Sequence, residues 1–253
     1  MAQKIISVVN QKGGVGKTTT AINVAANLAS RKISVLLVDL DPQGNSTGGL
    51  GINKDQQKVT VYDLISESTG ISNAILPTGI NNLSIIPSNS SLSGAEVEMV
   101  SRTNREYILA NSLKTLKYDY MIIDCPPSLG LLTVNALTAS NYVLIPVQTE
   151  YYALEGLSQL LATFQAVKQS TNPDLELLGV LLTMYDKRTS LSGQVKTEVK
   201  NYFQDQVFNT IIPRNIRLAE APSFGQTIFD YDRRSKGAKA YKSLASEIIS
   251  RTS

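Results

Sequence analysis

Short apolar runs and stretches of helical period alternate along the chain from its first strand candidate to its last helix. KIISVVN, residues 4–10, is apolar and β-branched, and the following TTTAINVAANLAS places Ile22, Ala25, Ala26 and Ala29 on one helical face. Further runs predict strands at Ile33 to Asp39, Asn82 to Pro87, Tyr120 to Asp124, Tyr142 to Gln148, Leu175 to Thr183 and Val207 to Pro213. Helical spacing predicts helices at Arg105 to Leu116, Leu129 to Ala139, Ala153 to Lys168, Leu191 to Phe203 and Lys236 to Ile249. Between residues 45 and 80 the pattern is mixed, with short helices and loops, and a polar Ser/Asn connection follows Pro87. Strands apolar at nearly every position belong to a parallel sheet covered on both faces. The reading is therefore an α/β fold, a mostly parallel twisted sheet flanked by helices on both faces, with ligands at the C-terminal strand ends. The polar residues closing the strands, Asn10, Asp39, Asp41, Asp124, Gln148, Glu150, Asp186 and Arg214, are expected along that one edge.

Composition narrows the chemistry. The 253 residues suit one large domain over 1–253, with about ten residues before the first glycine loop and so no room there for a helix-turn-helix module. One cysteine excludes an internal disulfide, and no secretory leader opens the chain, so a cytosolic protein is expected. The longest apolar candidate, LELLGVLLTM, is too short to span a bilayer. Histidine is absent, which removes His-based acid/base chemistry and His-ligated zinc. Charge is uneven: residues 1–185 carry 12 Lys/Arg against 14 Asp/Glu, and residues 186–253 carry 12 against 7. A basic surface is expected in the C-terminal quarter.

The stretch QKGGVGKTTT, residues 11–20, joins a strand to a helix through Gly13, Gly14, Val15 and Gly16. A glycine loop that opens a helix directs successive backbone N–H groups and the positive helix end at an anion. Lys17 is placed to neutralise β and γ phosphate oxygens, and the Thr18 hydroxyl to ligate magnesium. Asp124 ends an apolar strand, as a magnesium-holding carboxylate does in phosphoryl transfer. Asp41 stands just beyond another strand end. As an exposed carboxylate with the reference pKa near 4 it is a poor base at neutral pH, so it is expected to position water rather than deprotonate it, with slow turnover. Asp39 is assigned to ordering the same turn.

The loop departs from G-x-x-x-x-G-K-[ST], with Gln11 at the first glycine position and an extra Lys12. KGGVGKT resembles the deviant Walker A of the ParA/MinD ATPases. NQKGGVGKTTT, VDLDPQGN, IIDCPPSLGLLTVNAL, IPVQTEYYALEGLSQL, LLTMYDKRT and IPRNIRLAEAPSFG follow in order. They resemble the chromosome-type Soj/ParA partition ATPases over nearly the whole chain. That resemblance implies ATP and Mg2+ as cofactors, Thr19 at the α-phosphate, and Met184, Pro213 and Asn215 near the adenine. It further implies Lys12 reaching the phosphates of a partner in an ATP-bound sandwich homodimer, with Glu150 near the interface. Lys12, Lys17 and Asp41 form the catalytic set it implies. Arg188 and Arg217 correspond to arginines that bind nonspecific double-stranded DNA, and Arg234 lies in the same basic quarter. A centromere-binding ParB/Spo0J-like protein would stimulate hydrolysis, and the protein would be cytoplasmic and nucleoid-associated. A MinD-like membrane-cycling ATPase shares the loop, but YKSLASEIISRTS has a weak apolar face expected to pack on the domain, and no stable membrane association is expected. An iron-protein-like reductase would need two cysteines per subunit, and only Cys125 is present.

Overall fold

The computed structural model describes residues 3–67, 69–150 and 157–253. In chain order the first elements are β1 (Lys4–Val8), α1 (Lys17–Ala29), β2 (Val35–Asp39), α2 (Asn45–Gly49), α3 (Val61–Ile65), α4 (Ile71–Ala74), β3 (Leu76–Pro77) and β4 (Leu83–Ile86). Then come α5 (Leu92–Met99), α6 (Ile108–Leu113), β5 (Tyr120–Asp124), α7 (Leu131–Ala139), β6 (Tyr142–Gln148), α8 (Leu157–Ser170) and β7 (Glu176–Thr183). The chain closes with α9 (Ser190–Phe203), α10 (Ile216–Glu220), α11 (Ile228–Tyr231) and α12 (Lys236–Arg251).

Seven strands form one sheet in the order β3-β4-β2-β5-β1-β6-β7, parallel except where the short β3 runs against β4. The mostly parallel α/β reading holds. Side chains divide by strand parity. Leu36 and Val38 of β2 and Met121 and Ile123 of β5 face a core under α3, α5, α6 and α7. Val35 and Leu37, with Tyr120 and Ile122, face α1 and α12. With both faces buried, the hydrogen-bonded backbone is kept from water and the apolar area removed from it drives the fold. After β1 the chain crosses to β2 and after β5 it crosses to β6, so the crossovers diverge from the centre and leave a crevice at the carboxyl ends of β1 and β5.

Three expectations change. Residues 207–213 are not a strand; they meet the sheet edge at two isolated bridges, Val180 with Val207 and Tyr185 with Pro213, and through the Ile212 amide donating to Leu182 O at 2.9 Å. Between them the Asn209 and Thr210 amides donate to the Glu247 carboxylate of α12, at 2.8 and 3.0 Å, instead of to a strand. The Ser/Asn connection contains α5, whose Leu92, Ala95 and Met99 alone face inward from a Ser- and Gly-rich sequence. The helix expected over 105–116 is shorter, a 3-10 turn at Arg105–Tyr107 followed by α6. Of the helix expected from Ala153, residues 153–156 lie outside the described residues, and α8 is described from Leu157.

Candidate nucleotide site

The glycine loop sits between the end of β1 and the first turn of α1, pinned from the ends of β6 and β7. Asn10 donates to Pro146 O at 2.7 Å while its Oδ1 accepts from the Lys12 amide at 2.9 Å. Thr183, ending β7, donates to Val15 O at 2.8 Å. Gly14 and Gly16 lie at φ 75° and 92°, a region costly for residues with a Cβ, and Gly16 caps α1 with no side-chain acceptor on its amides. The loop and the helix end therefore present donors without a protein acceptor, as an anion site requires.

Lys17 is buried, its Nζ donating to Lys12 O at 3.1 Å. Burial lowers its pKa, opposed by the charges of Asp124, Cys125 and Asp41. Asp39 and Asp124 are register partners across β2 and β5, both fully buried. Burial first, and for Asp124 the neighbouring Asp39 next, raises both carboxyls. Asp39 is held by Thr47, accepting from its amide at 2.8 Å and its hydroxyl at 2.7 Å, which orders the turn as expected. Asp124 Oδ2 accepts from Ser46 Oγ at 2.8 Å, and the Thr18 side chain faces the same carboxylate and favours its charged form. Asp124 Oδ1 is buried and makes no hydrogen bond of ordinary geometry. An orphaned buried carboxylate oxygen beside a threonine hydroxyl fits a divalent cation completed by phosphate oxygens and water. Among the described residues no three acidic or thiol groups cluster to hold a metal without such help.

Asp41 differs from its expectation: it is buried, with 6 % exposure. The DPQG turn folds back over it, and its Oδ1 accepts from the Gln43 amide at 2.9 Å. Gly44 at φ 61° closes that turn with Ser88 O only 2.7 Å from where a Cβ would stand.

Met184 and, from a later segment, Pro213 and Asn215 line one depression of about 430 Å³ together with Gly16 and Thr19. Its other walls are largely apolar, Ile216, Leu218 and Tyr241 among them, which suits a purine ring beside the phosphate loop. Met184 occupies φ 52°, an uncommon conformation imposed where the chain leaves β7. Lys12 lies outside its own loop, half-exposed, with Nζ 3.8 Å from Glu150 Oε2; Arg214 reaches the other oxygen of Glu150 at 3.6 Å. Ser46, Thr183 and Asn10 are the polar contacts that motif reading did not assign. For Ser46 a signal existed, a Ser-Thr pair directly after the DPQGN turn.

The arginines do not gather in one place. Arg188 lines a groove of about 970 Å³ with Lys187, Lys196, Arg214 and Lys236, and Asp186 is its one carboxylate. Asp186 binds Arg188 through two hydrogen bonds, at 3.0 and 2.7 Å, and that guanidinium holds its carboxyl well below the usual range. Arg217 and Arg234 lie elsewhere, both meeting Asp232: Arg217 Nε at 3.7 Å from its carboxylate, the Arg234 amide donating to it at 3.2 Å. Arg217 also pairs with Glu220 at 2.9 Å. α12 buries Tyr241, Leu244, Ala245 and Ile248 against the domain, as expected, and no described helix is long and apolar enough to cross a membrane.

An AAA domain family model matches residues 3–177. The chromosome partitioning protein ParA of Myxococcus xanthus is 54% identical over 98% of this chain and 88% of its own length. The sporulation initiation inhibitor protein Soj of Bacillus subtilis is 56% identical over 97% of this chain and 98% of its own. Among solved structures, cobyrinic acid a,c-diamide synthase of Mycobacterium smegmatis with bound ATP analog and magnesium superposes with TM-score 0.87 at 40% identity, covering 98% of this chain and 95% of that one. A plasmid partition protein of Borrelia burgdorferi gives TM-score 0.78 at 29% identity, covering 99% and 100%.

Proposed function

Because this chain belongs to the ParA/Soj family of partition proteins, we propose that it is a DNA-partition ATPase whose nucleotide state switches it between a monomer and a DNA-bound dimer. The observation that carries the nucleotide half is the continuity of three parts: a donor-rich glycine loop, the orphaned Asp124 Oδ1 beside Thr18, and an apolar slot of about 430 Å³ opening at Gly16 and Thr19. Magnesium held there would draw charge from the β and γ phosphate oxygens. Lys17 neutralises the same oxygens from within the loop, and Met184, Pro213 and Asn215 hold the base. Asp41, fixed by the Gln43 amide, orients water at the γ-phosphate; positioning rather than deprotonation makes intrinsic turnover slow.

Lys12 faces away from its own loop, and a second subunit placed face to face would bring its phosphates there. The dimer would then carry two basic surfaces, and duplex DNA would be held through phosphates without base reading. A centromere-bound ParB/Spo0J-like protein would trigger hydrolysis and release, in the cytoplasm on the nucleoid.

The deciding experiment is co-sedimentation with unrelated duplexes under ATP, ADP and no nucleotide, with Lys17→Ala beside the parent in calorimetry. ATP-dependent DNA capture, and ATP affinity lost at least tenfold in Lys17→Ala, are expected. Equal DNA capture in all nucleotide states removes the switch, and unchanged ATP affinity in Lys17→Ala removes the site.

A further inference from the structure

On the far side of α1 from the phosphate loop, a depression of about 580 Å³ opens between the end of that helix, α11 and α12. Its floor is apolar, formed by Ala26, Ile80, Phe229 and Ala238. Four cations stand around it, Arg31, Arg233, Lys239 and Lys242, and none of them has an ion-pair partner among the described residues. The one carboxylate at the rim, Asp230, accepts from the Thr227 hydroxyl at 2.7 Å.

Two groups in this wall are built rather than merely exposed. Arg31 is locked by three hydrogen bonds, Nε to Asn27 Oδ1 at 3.1 Å and Nη2 to Lys242 O and Ser246 Oγ, both at 2.9 Å. Its Nη1 is left without a partner among the described residues. Asn27 is 6 % exposed, yet its Nδ2 donates to no described group while its Oδ1 is committed to Arg31. That Nδ2 is open to solvent at the depression and free to donate to a solute there. Here it lines a depression whose rim is positive and whose floor is apolar.

We propose that this depression binds a small amphiphilic anion, an apolar or aromatic body seated on the floor with a phosphate, sulfonate or carboxylate held by Asn27 Nδ2, Arg31 Nη1 and the two lysines. The volume lies in the range of small-molecule sites, and the few convergent polar groups fix one end of the ligand. Asn27 lies ten residues beyond Lys17, about 15 Å along α1 at the helical rise, so this site and the nucleotide slot do not overlap. Arg31 bonds α12 directly, so a ligand here would contact both the helix that carries the phosphate loop and the helix that carries Lys236, Lys239 and Lys242.

The test uses the full chain and 1-anilinonaphthalene-8-sulfonate as the probe, followed by fluorescence titration. Its neutral counterpart N-phenyl-1-naphthylamine and inorganic phosphate alone test the two ends of the ligand separately. One sulfonate probe per chain is expected, at least tenfold tighter than either half. The double substitution Lys239→Gln/Lys242→Gln, at exposed positions that leave packing intact, should weaken it at least tenfold. Asn27→Leu, which keeps the volume and deletes both the Nδ2 donor and the Oδ1 that holds Arg31, should weaken it severalfold. Ile216→Ser, which alters the adenine slot instead, should leave it unchanged. The proposal is overturned by unchanged affinity in the double variant, by equal binding of the neutral probe, or by loss in Ile216→Ser alone. Inorganic phosphate binding as tightly as the sulfonate would also overturn it, since the floor would then contribute nothing and the lysines would be bare phosphate contacts.

Discussion

Asp41 illustrates how one side chain's surroundings alter its reading. From the chain alone it is an exposed carboxylate past a strand end; in the fold it is 6 % exposed and held by the Gln43 amide. A fixed, buried carboxylate suits orientation of a water, because little entropy remains to be lost when the reacting geometry forms. Asp41→Ala should retain ATP binding, lose at least a hundredfold in turnover and accumulate an ATP-held dimer. Sizing with ATP and magnesium, beside a phosphate-release assay, checks it; a monomer or wild-type turnover would end the assignment. Lys12 has the opposite character. Its contact with Glu150, 3.8 Å between side chains 41% and 45% exposed, is worth about 0–1 kcal/mol, so it can exchange that partner for a phosphate on a second subunit. Lys12→Ala should therefore keep most ATP affinity and lose dimerisation and hydrolysis together. Gly13→Val adds a sharper test, because a Cβ at Gly13 meets nothing within 4 Å in the monomer. With ATP affinity retained, a loss of dimer in Gly13→Val points to a surface approaching from outside, and normal dimers in both variants would remove the sandwich.

Among the elements, α12 does two jobs that its sequence states unequally. Its buried face is plain from spacing, whereas Glu247 reads as one more surface acid. In the fold Glu247 replaces a strand partner for the Asn209 and Thr210 amides and bonds Arg251 at 3.0 Å. Burial works to raise its carboxyl, but those amides and Arg251 outweigh it and hold the pKa below the ordinary 4.5. A carboxyl lowered on folding adds stability that is present above its unfolded pKa and is lost as pH falls through the folded one. Glu247→Gln should cost about 1–2 kcal/mol at pH 7, the scale of hydrogen bonds to a charged group. The deficit should shrink as pH falls below about 4.5. Denaturant melts of parent and variant at pH 7 and pH 4 check this, and a constant difference would mean that the carboxylate charge is not what secures the segment. The same substitution explains why 207–213 is apolar yet not a strand. At its centre the Asn209 and Thr210 amides are satisfied by a side chain, which sequence spacing does not encode.

At the scale of the molecule, charge and nucleotide state come together. The excess of positive charge lies after residue 185, but the fold spreads it over the groove holding Arg188, the Asp232 neighbourhood holding Arg217 and Arg234, and the depression lined by Arg233, Lys239 and Lys242. Arg188 and Arg217 each already have a carboxylate partner at the surface, a contact that phosphate can replace because exposed pairs are weakly held. On the proposed function, one subunit would offer separate sets of phosphate contacts, and a dimer would double them on one duplex. The second subunit binds at high effective concentration, so ATP should raise DNA affinity about a hundredfold or more. Arg188→Glu and Arg217→Glu should each abolish most DNA binding with ATP affinity and dimerisation intact, and each should flatten the log-log salt slope by about one unit. Interferometry with ATP and ADP at several salt concentrations checks it. Wild-type affinity in both reversals would exclude these surfaces.

What the chain determines alone is what local spacing can carry: the strands of the sheet centre, the helices with strong periodicity, and the phosphate loop, whose glycines, Lys17 and Thr18 are contiguous. β5 and β6 fall where their apolar runs end, at Asp124 and Gln148, because a strand buried on both faces cannot hide its pattern. α5 escaped because only Leu92, Ala95 and Met99 face inward, too sparse a stripe to rise above a Ser/Gly-rich background. Contacts between distant segments needed the fold. The apolar slot beside the glycine loop joins residues 16–19, 183–184 and 212–219; Asp39 and Asp124 are adjacent only because β2 pairs with β5; and the depression walled by Arg31 and Lys242 exists only where α1 meets α12. Hydrophobic period sets which face of an element is buried, but which elements then stand side by side, and so which charges share a buried space, is decided by the order of the strands in the sheet.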